Sequence, residues 1–493
     1  MAEACEGVRR DAVRQLARSG SMRVNTTNRE RTGGGTRMWR QARIACTVAI
    51  VATLATAMLS GCVSLKVGGT GGEKPAPPRP AIKVTEPDPG VSSLGALVPV
   101  TATSFSAGPV AIGDIAAGKG ILPALSFSGG PAGWKVDPIG ASSRTAYDAA
   151  ELGAVQVVVG AEAATGPPGS PQVPFVAVSE DGAPWSISAI GTSVFGGSSA
   201  ELQAVGSTGN VLDPSSLFMA VGGTVKSPTG ELGSPSGTIP VALTSSDGKT
   251  WARAAALPLP EGVEGGVAMD VTYSPSRTAH PGTLVVGFGW AEDKVVGRRE
   301  VGLVWHTADA GKTWKLLSDD HFDEAGRSMS VGFIAADDQT IVAAGTGDVP
   351  GQNSGSDVPT QFESMEWTMG ADGEWHVIGD GASLSRERSS MTTALIARKA
   401  AGFITASEIY DTAAGATIRG SDVQGDPAVA VYASLDGRTW NDVGEAFPGI
   451  DDASIITGLS EFAHGDTAYG MLTTRTAKAP GGTAWVADRN AVK

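Results

Sequence analysis

The segment Asp319-Asp320-His321-Phe322-Asp323-Glu324, with Arg327 close behind, gathers the densest set of chemically capable side chains in the chain. Its carboxylates suit binding of a cation or polar ligand. As a spaced pair they also suit acid and nucleophile work at a glycosidic bond. The same composition makes an ordinary solvated acidic loop. A second set joins Trp290 to Arg298 and Arg299, an aromatic and guanidinium combination that suits stacking on and clamping a sugar acid and equally suits ordinary surface ion pairs. Arg144, the run Arg386-Glu387-Arg388, and Tyr410 fall in comparable segments, and Tyr273 lies in an apolar run that reads as an inner strand. His280, His306, His376 and His464 are scattered without metal-ligand spacing. There is no G-x-S-x-G elbow, no phosphate-binding loop and no dinucleotide fingerprint. Nothing in these patterns calls for a metal or a cofactor.

The elements that must position these residues are announced by a turn. Thr307-Ala308-Asp309-Ala310-Gly311-Lys312-Thr313-Trp314 recurs as Ser245-Ser246-Asp247-Gly248-Lys249-Thr250-Trp251, Ser434-Leu435-Asp436-Gly437-Arg438-Thr439-Trp440 and Ser179-Glu180-Asp181-Gly182-Ala183-Pro184-Trp185. A weaker copy is Ala371-Asp372-Gly373-Glu374-Trp375. Successive aspartates are 66, 62, 63 and 64 residues apart, so one supersecondary unit is repeated. The Asp carboxylate accepts from backbone N–H groups ahead of it. The preceding Ser or Thr adds a local partner. Gly supplies positive φ, and Trp opens the next strand with a ring to bury. Each copy brings one carboxylate, fewer than a calcium loop requires.

This pattern resembles the Asp box, or BNR repeat, of sialidase-like β-propellers. The resemblance implies an all-β propeller of four-stranded blades, with each box a structural hairpin between third and fourth strands, on the face away from the active site. Residues 267–273, 284–288, 301–306 and 314–317 read as the four strands of one unit. Second strands recur at 155–159, 217–221, 341–344, 403–407 and 468–472. Residues 122–128 and 134–136 read as a third and fourth strand without the Asp, and 482–488 as a final third strand. Turns near 129, 181, 247, 309, 372, 436 and 488 give seven blades, with six as the alternative. Residues 94–101 are the expected N-terminal strand that closes the last blade and covers its edge. Second-to-third connections at 161–174, 224–240, 290–300, 345–361 and 408–426 are long and unlike one another. They share an end with the fourth-to-first connections, and that irregular face is where function is expected.

Enzymes of the sialidase family carry an early Phe/Tyr-Arg-Ile-Pro motif, three substrate-gripping arginines and a Tyr–Glu pair. The chain has no such Arg-Ile-Pro, and its tyrosines are Tyr147, Tyr273, Tyr410, Tyr432 and Tyr469. The resemblance therefore covers the fold over residues 93–493 and assigns no catalytic residue.

The N-terminus has its own logic. Arg37, Arg40 and Arg43 precede an apolar run from Ile44 to Leu59, short for a membrane span of roughly 20 residues. The run ends in Leu59-Ser60-Gly61-Cys62. A basic region, a short apolar stretch and small residues make a secretory signal, and the last four residues resemble the bacterial lipobox, which implies lipidation at Cys62. Residues 1–61 form the signal region, with Met38 a second candidate start. Residues 62–92 form a linker rich in Gly and Pro. Only Cys62 of the three cysteines lies beyond the signal region, so no disulfide is expected there. Residues 62–493 hold 27 basic and 47 acidic side chains, a net charge of −20, which disfavours nucleic acid. The expectation is an exported lipoprotein on the extracytoplasmic face of the cell membrane. Its propeller binds a protein or glycan. A sialidase-like or other glycoside hydrolase, or an envelope assembly factor, is the alternative.

Overall fold

The computed structural model describes residues 90–488 except 94–96, 106–107, 117–120, 129–133, 140–143, 163–172, 197, 210–212, 214, 226–236, 295–296, 325–326, 349–361, 379–388, 398–401, 411–427, 445–454, 465–466 and 476–481. The signal region, Met38, Cys62, the linker up to residue 89, the turn near 129 and Arg386-Glu387-Arg388 lie outside the described residues. Among the described residues no helix is long and apolar enough to cross a membrane.

The chain is nearly all β. In order the strands are β1 (Gly90–Ser93), β2 (Leu97–Phe105), β3 (Gly108–Ala116), β4 (Ile121–Ser128), β5 (Trp134–Pro138), β6 (Arg144–Leu152), β7 (Val155–Glu162), β8 (Val173–Glu180), β9 (Ser186–Ala189), β10 (Ala200–Ser207), β11 (Phe218–Val225), β12 (Thr238–Ser245), β13 (Ala252–Arg253) and β14 (Val263–Ser274). There follow β15 (Gly282–Asp293), β16 (Gly297–Thr307), β17 (Lys315–Leu316), β18 (Met329–Ala336), β19 (Ile341–Asp348), β20 (Phe362–Met369), β21 (Trp375–Val377), β22 (Ser389–Ala397), β23 (Phe403–Tyr410), β24 (Ala428–Ser434), β25 (Asn441–Asp442), β26 (Ile455–His464), β27 (Thr467–Arg475) and β28 (Gly482–Asp488).

Consecutive strands pair antiparallel in four-stranded sheets: β2–β5, β6–β9, β10–β13, β14–β17, β18–β21 and β22–β25. A further sheet has the order β1-β28-β27-β26. The strand expected at 94–101 is therefore corrected. Gly90–Ser93 pairs with β28, whereas Leu97–Phe105 begins the next sheet. The linker read over 62–92 thus ends in a strand.

The arrangement is propeller-like because the core lies in layers between sheets. On β7, Val157 and Val159 pack towards the third sheet, while Val158 packs towards the first. On β15, Val285 joins the layer shared with the third sheet, and Leu284 and Val286 join the layer shared with the fifth. Alternate side chains of one strand thus bury on opposite faces, which is why these strands read as continuous apolar runs.

Every first strand carries a bulge, at Pro99/Thr101, Ala146/Asp148, Leu202/Ala204, Ala268/Asp270, Val331/Phe333, Thr392/Ala394 and Ile456/Gly458. Opposite five of them stands a second-strand glycine, Gly113 at the first, and Gly160, Gly222, Gly287 and Gly345 at the next four. A Cβ on any of the last four would collide with a first-strand carbonyl oxygen, that of Thr145, Glu201, Val267 or Ser330. The bulge brings the strands too close for any side chain.

Candidate functional site

In an antiparallel meander the first-to-second and third-to-fourth turns share one end, and the other connections share the opposite end. The recurrent Asp turns lie at the first end and are closed on themselves. Asp247 Oδ1 accepts from the backbone N–H of Lys249 (2.8 Å) and Thr250 (2.7 Å) and from Ser245 Oγ (3.0 Å). Asp436 repeats this with Arg438 and Thr439 N–H, both at 2.8 Å, and Ser434 Oγ at 3.1 Å. Asp309 accepts from Thr307 Oγ1 (2.7 Å), Thr313 N–H (2.9 Å) and Thr313 Oγ1 (2.7 Å). The Thr313 hydroxyl and its backbone N–H lead in lowering the Asp309 pKa to about 2. Asp372 is held by His376 Nε2 at 2.8 Å. Asp181 departs from the set. Asp181 and Gly182 both have positive φ, and Ser179 Oγ donates to Ala183 O at 2.7 Å. That is a two-residue hairpin of the mirror-image type.

The glycines of these turns seal neighbouring sheets. A Cβ on Gly248 would sit 2.6 Å from Val157 Cγ2 of the second sheet, and one on Gly437 2.6 Å from Val342 Cγ2 of the fifth. Gly311 faces Met219 and Ala254 of the third sheet. Trp251 and Trp375 are buried, while Trp185, Trp314 and Trp440 are only partly so.

At the irregular end, the expected acidic loop is a pinned connection between the fourth and fifth sheets. Asp319 caps a short 3-10 turn, Asp320–Phe322, by accepting from His321 N–H at 3.0 Å. Phe322 is fully buried, stacked on Trp367 at 4.8 Å and edge-on to Trp375 at 5.1 Å. Trp367 Nε1 donates to His321 O at 3.0 Å. Phe322 therefore anchors the segment, and its charges point outwards from that anchor. Asp319 also meets His321 Nδ1 at 2.9 Å.

Three arginines at this end have described side chains, and each is held by carboxylates. Arg298 pairs with Glu292 (3.2 Å) and Glu264 (3.4 Å). Arg299 pairs with Asp293 (3.4 Å) and with Asp323. Arg327, 8% exposed, pairs with Glu324 (3.2 Å) and Glu363 and donates from Nε to Asp348 O (2.7 Å). The connection thus brings the Arg299–Asp323 and Arg327–Glu324 pairs close in sequence, Arg298 pairs separately, and the three guanidiniums face six carboxylates.

Two placements are corrected. Trp290 is not in a loop. β15 and β16 extend past it as a hairpin joined at 294–296, and the indole is 3% exposed, edge-on to Phe288 at 5.3 Å beside Val267 and Met269. Its flanking Gly and charged residues imitate a loop, but they face each other across an extended pair. Tyr273 is at the wrong end. It pairs with Thr283, which pairs with Thr307 of the Asp309 turn. Arg144 opens β6 and Tyr410 closes β23, both at the irregular end, with only their backbones described. Arg388 lies outside the described residues.

The sequence reading missed the polar residues on the first strands. Asp148 and Asp270 are buried just after bulges of the second and fourth sheets. Each accepts from the next sheet's first strand: Asp148 from Val205 N–H at 2.8 Å, Asp270 from Ile334 N–H at 2.9 Å. Burial, opposed by these bonds, pushes the Asp148 carboxyl well up, and Asp270 adds to the rise. Near the irregular end, burial raises the Glu201 pKa, opposed by the neighbouring Tyr147 and Gln203 side chains. Glu366, on the third strand of the fifth sheet, is pushed by burial to about 7. No group of three or more His, Cys, Asp or Glu is placed to hold a metal ion among the described residues. The available signal was a polar residue interrupting an apolar first strand.

No protein-family model matches the chain, and no curated protein matches it. Among solved structures it is similar to Trypanosoma rangeli sialidase in complex with the inhibitor DANA, at 13% identity and TM-score 0.39, covering 79% of this chain and 68% of the other. A Dyadobacter fermentans protein of unknown function gives 10% identity and TM-score 0.38, covering 70% and 95%. Bombyx mori GH32 β-fructofuranosidase gives 10% and 0.31, covering 55% and 57%. At these scores the fold description rests on the sheet topology itself.

Proposed function

We propose that the chain is an exported lipoprotein, anchored through Cys62, whose single seven-bladed β-propeller recognises a protein or glycan partner with its irregular end. The blade count is supported by the number of four-stranded sheets and by contacts of the first strands in a ring: β2 on β6, β6 on β10, β10 on β14, β14 on β18, β18 on β22, β22 on β26 and β26 on β2. Closure is by Gly90–Ser93, so the tether from Cys62 enters at the outer edge of the last blade. The recurrent turns act as Asp boxes that join neighbouring blades.

The observation that carries the binding reading is the pairing of Arg298, Arg299 and Arg327 with carboxylates. These guanidiniums are already engaged, and their ion pairs, with the excess carboxylates around them, suit recognition through complementary charge and hydrogen bonds. The net charge of −20 over residues 62–493 favours a neutral or basic partner.

The anchoring part is tested by replacing Cys62 with Ser and fractionating cells. Release into the soluble fraction is expected, and unchanged membrane association contradicts it. The binding part is tested by applying the purified full chain to a glycan panel and by cross-linking it within envelopes, with Arg298→Glu as the disrupted variant. Retained binding by that variant contradicts the assignment of this end.

A further inference from the structure

We infer that His280, His306 and Lys315, at the Asp-turn end of the fourth sheet, form a binding site for a tetrahedral oxyanion, a phosphate or sulfate group. The site lies at the opposite end from the proposed partner face and stands independently of that reading.

The histidines with described side chains fall into two kinds. His321 Nδ1 meets Asp319 at 2.9 Å, and His376 Nε2 meets Asp372 at 2.8 Å. Among the described residues His280 and His306 pair with no carboxylate and meet each other, with ring centroids 5.5 Å apart and planes tilted by 50°. The His306 ring is fixed by Nε2, which lies 2.9 Å from Pro281 O. A carbonyl oxygen only accepts, so Nε2 carries the proton and Nδ1 is left for a ligand. Lys315 stands directly opposite His306 in the β16–β17 pair, and it is exposed. Opposite residues of an antiparallel pair share a face, and like charges there repel. Two protonatable imidazoles and an ammonium are thus set together without a counter-charge.

The surroundings add cations. Arg277, in the connection that leads to His280, and Lys312, in the Asp turn, are both exposed. The carboxylate of that turn, Asp309, is occupied by Thr307 and Thr313. From the fifth sheet the turn at Gly373 comes against Ala279 and brings Asp372, Glu374 and His376, and Asp372 is bonded to His376. Burial first, then the charges of His306 and Lys315, lowers the His280 pKa below 6.5. An arriving anion reverses the charge effect and draws a proton onto the ring. A cation is repelled here. A tetrahedral dianion offers several acceptor oxygens to the N–H donors of three side chains, through charge-assisted bonds. The oxyanion is either a free ion or the headgroup of an anionic phospholipid, and both present the same chemistry.

The purified full chain carrying Cys62→Ser, so that no lipid contributes, is titrated with sodium sulfate and with inorganic phosphate at constant ionic strength. The histidine ring C–H resonances are followed by NMR, and with five histidines in the chain single substitutions assign them. Both anions should raise the pKa of His280 and His306 and leave His321 and His376 unmoved. Sulfate should bind more tightly as pH falls from about 8 to about 6, as the imidazoles charge. Lys315→Gln, at an exposed position, should weaken binding about two- to fivefold, the scale of one exposed ion pair. Lys315→Glu should abolish it. In a second arm the same protein is sedimented with phosphatidylglycerol vesicles and with phosphatidylcholine vesicles. Retention on the former alone, lost in Lys315→Glu, identifies a headgroup source, and free-ion binding without retention identifies a dissolved ion. Absence of binding in both arms overturns the site. So do shifts equal at His280 and His376, or undiminished by Lys315→Glu.

Discussion

Asp148 Oδ2 accepts a 2.8 Å hydrogen bond from the backbone N–H of Val205, a residue 57 positions further along and on the next sheet. Asp270 does the same for Ile334, 64 positions further along, at 2.9 Å. Each aspartate also accepts from its own following residue, Ala149 or Val271. One buried carboxylate thus satisfies a bulged strand and the strand beside it. Replacing Asp270 with Ala takes from the buried Ile334 N–H its acceptor, at about 1–3 kcal/mol. A chemical denaturation midpoint unchanged by that substitution contradicts the fastening role.

Glu366 gives stability a definite pH dependence. Its folded pKa is raised from 4.5 to about 7, chiefly by burial. A raised carboxyl contributes stability fully below the unfolded value and loses it as pH rises through about 7. Relative to the wild type, Glu366→Gln should gain about 3 kcal/mol between pH 4.5 and the region above 7. Parallel stability curves for the two proteins across that range would rule this out.

The Asp309 turn titrates with the opposite sign. Its carboxyl is held at about 2, first by the Thr313 hydroxyl, so what the turn contributes is present above 3.8 and lost as pH falls towards 2. Thr313→Val should move the Asp309 carboxyl upwards, towards its ordinary value. Carboxyl-carbon NMR titration checks the shift, and an unmoved Asp309 would mean that other donors hold it.

Trp305 is the most deeply buried indole of the fourth sheet among the described residues. It is fully buried and donates from Nε1 to Pro258 O at 2.7 Å, whereas Trp314 of the Asp turn is only partly buried. Trp305→Ala should cost about 3–5 kcal/mol, and Trp314→Ala less. Equal losses in thermal unfolding would contradict this order.

Gly437 has φ of +70° and lies against Val342 of the preceding sheet. Gly437→Ala should cost about 1–2 kcal/mol for the left-handed backbone alone, and more for the contact. A melting temperature equal to that of the parent would show that the turn relaxes freely.

What was legible in the sequence was local. The Asp turns are written in adjacent residues, and the second strands follow from short apolar runs, so both could be placed from the chain alone. The strand at Gly482–Asp488 was readable for the same reason. Trp290 was misplaced because charged residues around an extended hairpin look like a loop, and only cross-strand pairs such as Glu292 with Arg298 reveal the strands. The closing strand was misplaced by a few residues, since Gly90–Ser93 has no apolar signal of its own and is defined by its partner β28. Asp148 and Asp270 were passed over because Val205 and Ile334, which they fasten, are far away in sequence. Their significance comes from the bulges, which no local pattern announces.

The central claim is that the irregular end meets the partner. A photo-cross-linking residue placed at position 298, and in a second protein at position 312 of an Asp turn, tests it within intact envelopes. Adducts to a discrete partner from 298 and not from 312 are expected. Adducts from 312 alone, or equally from both, would contradict the account.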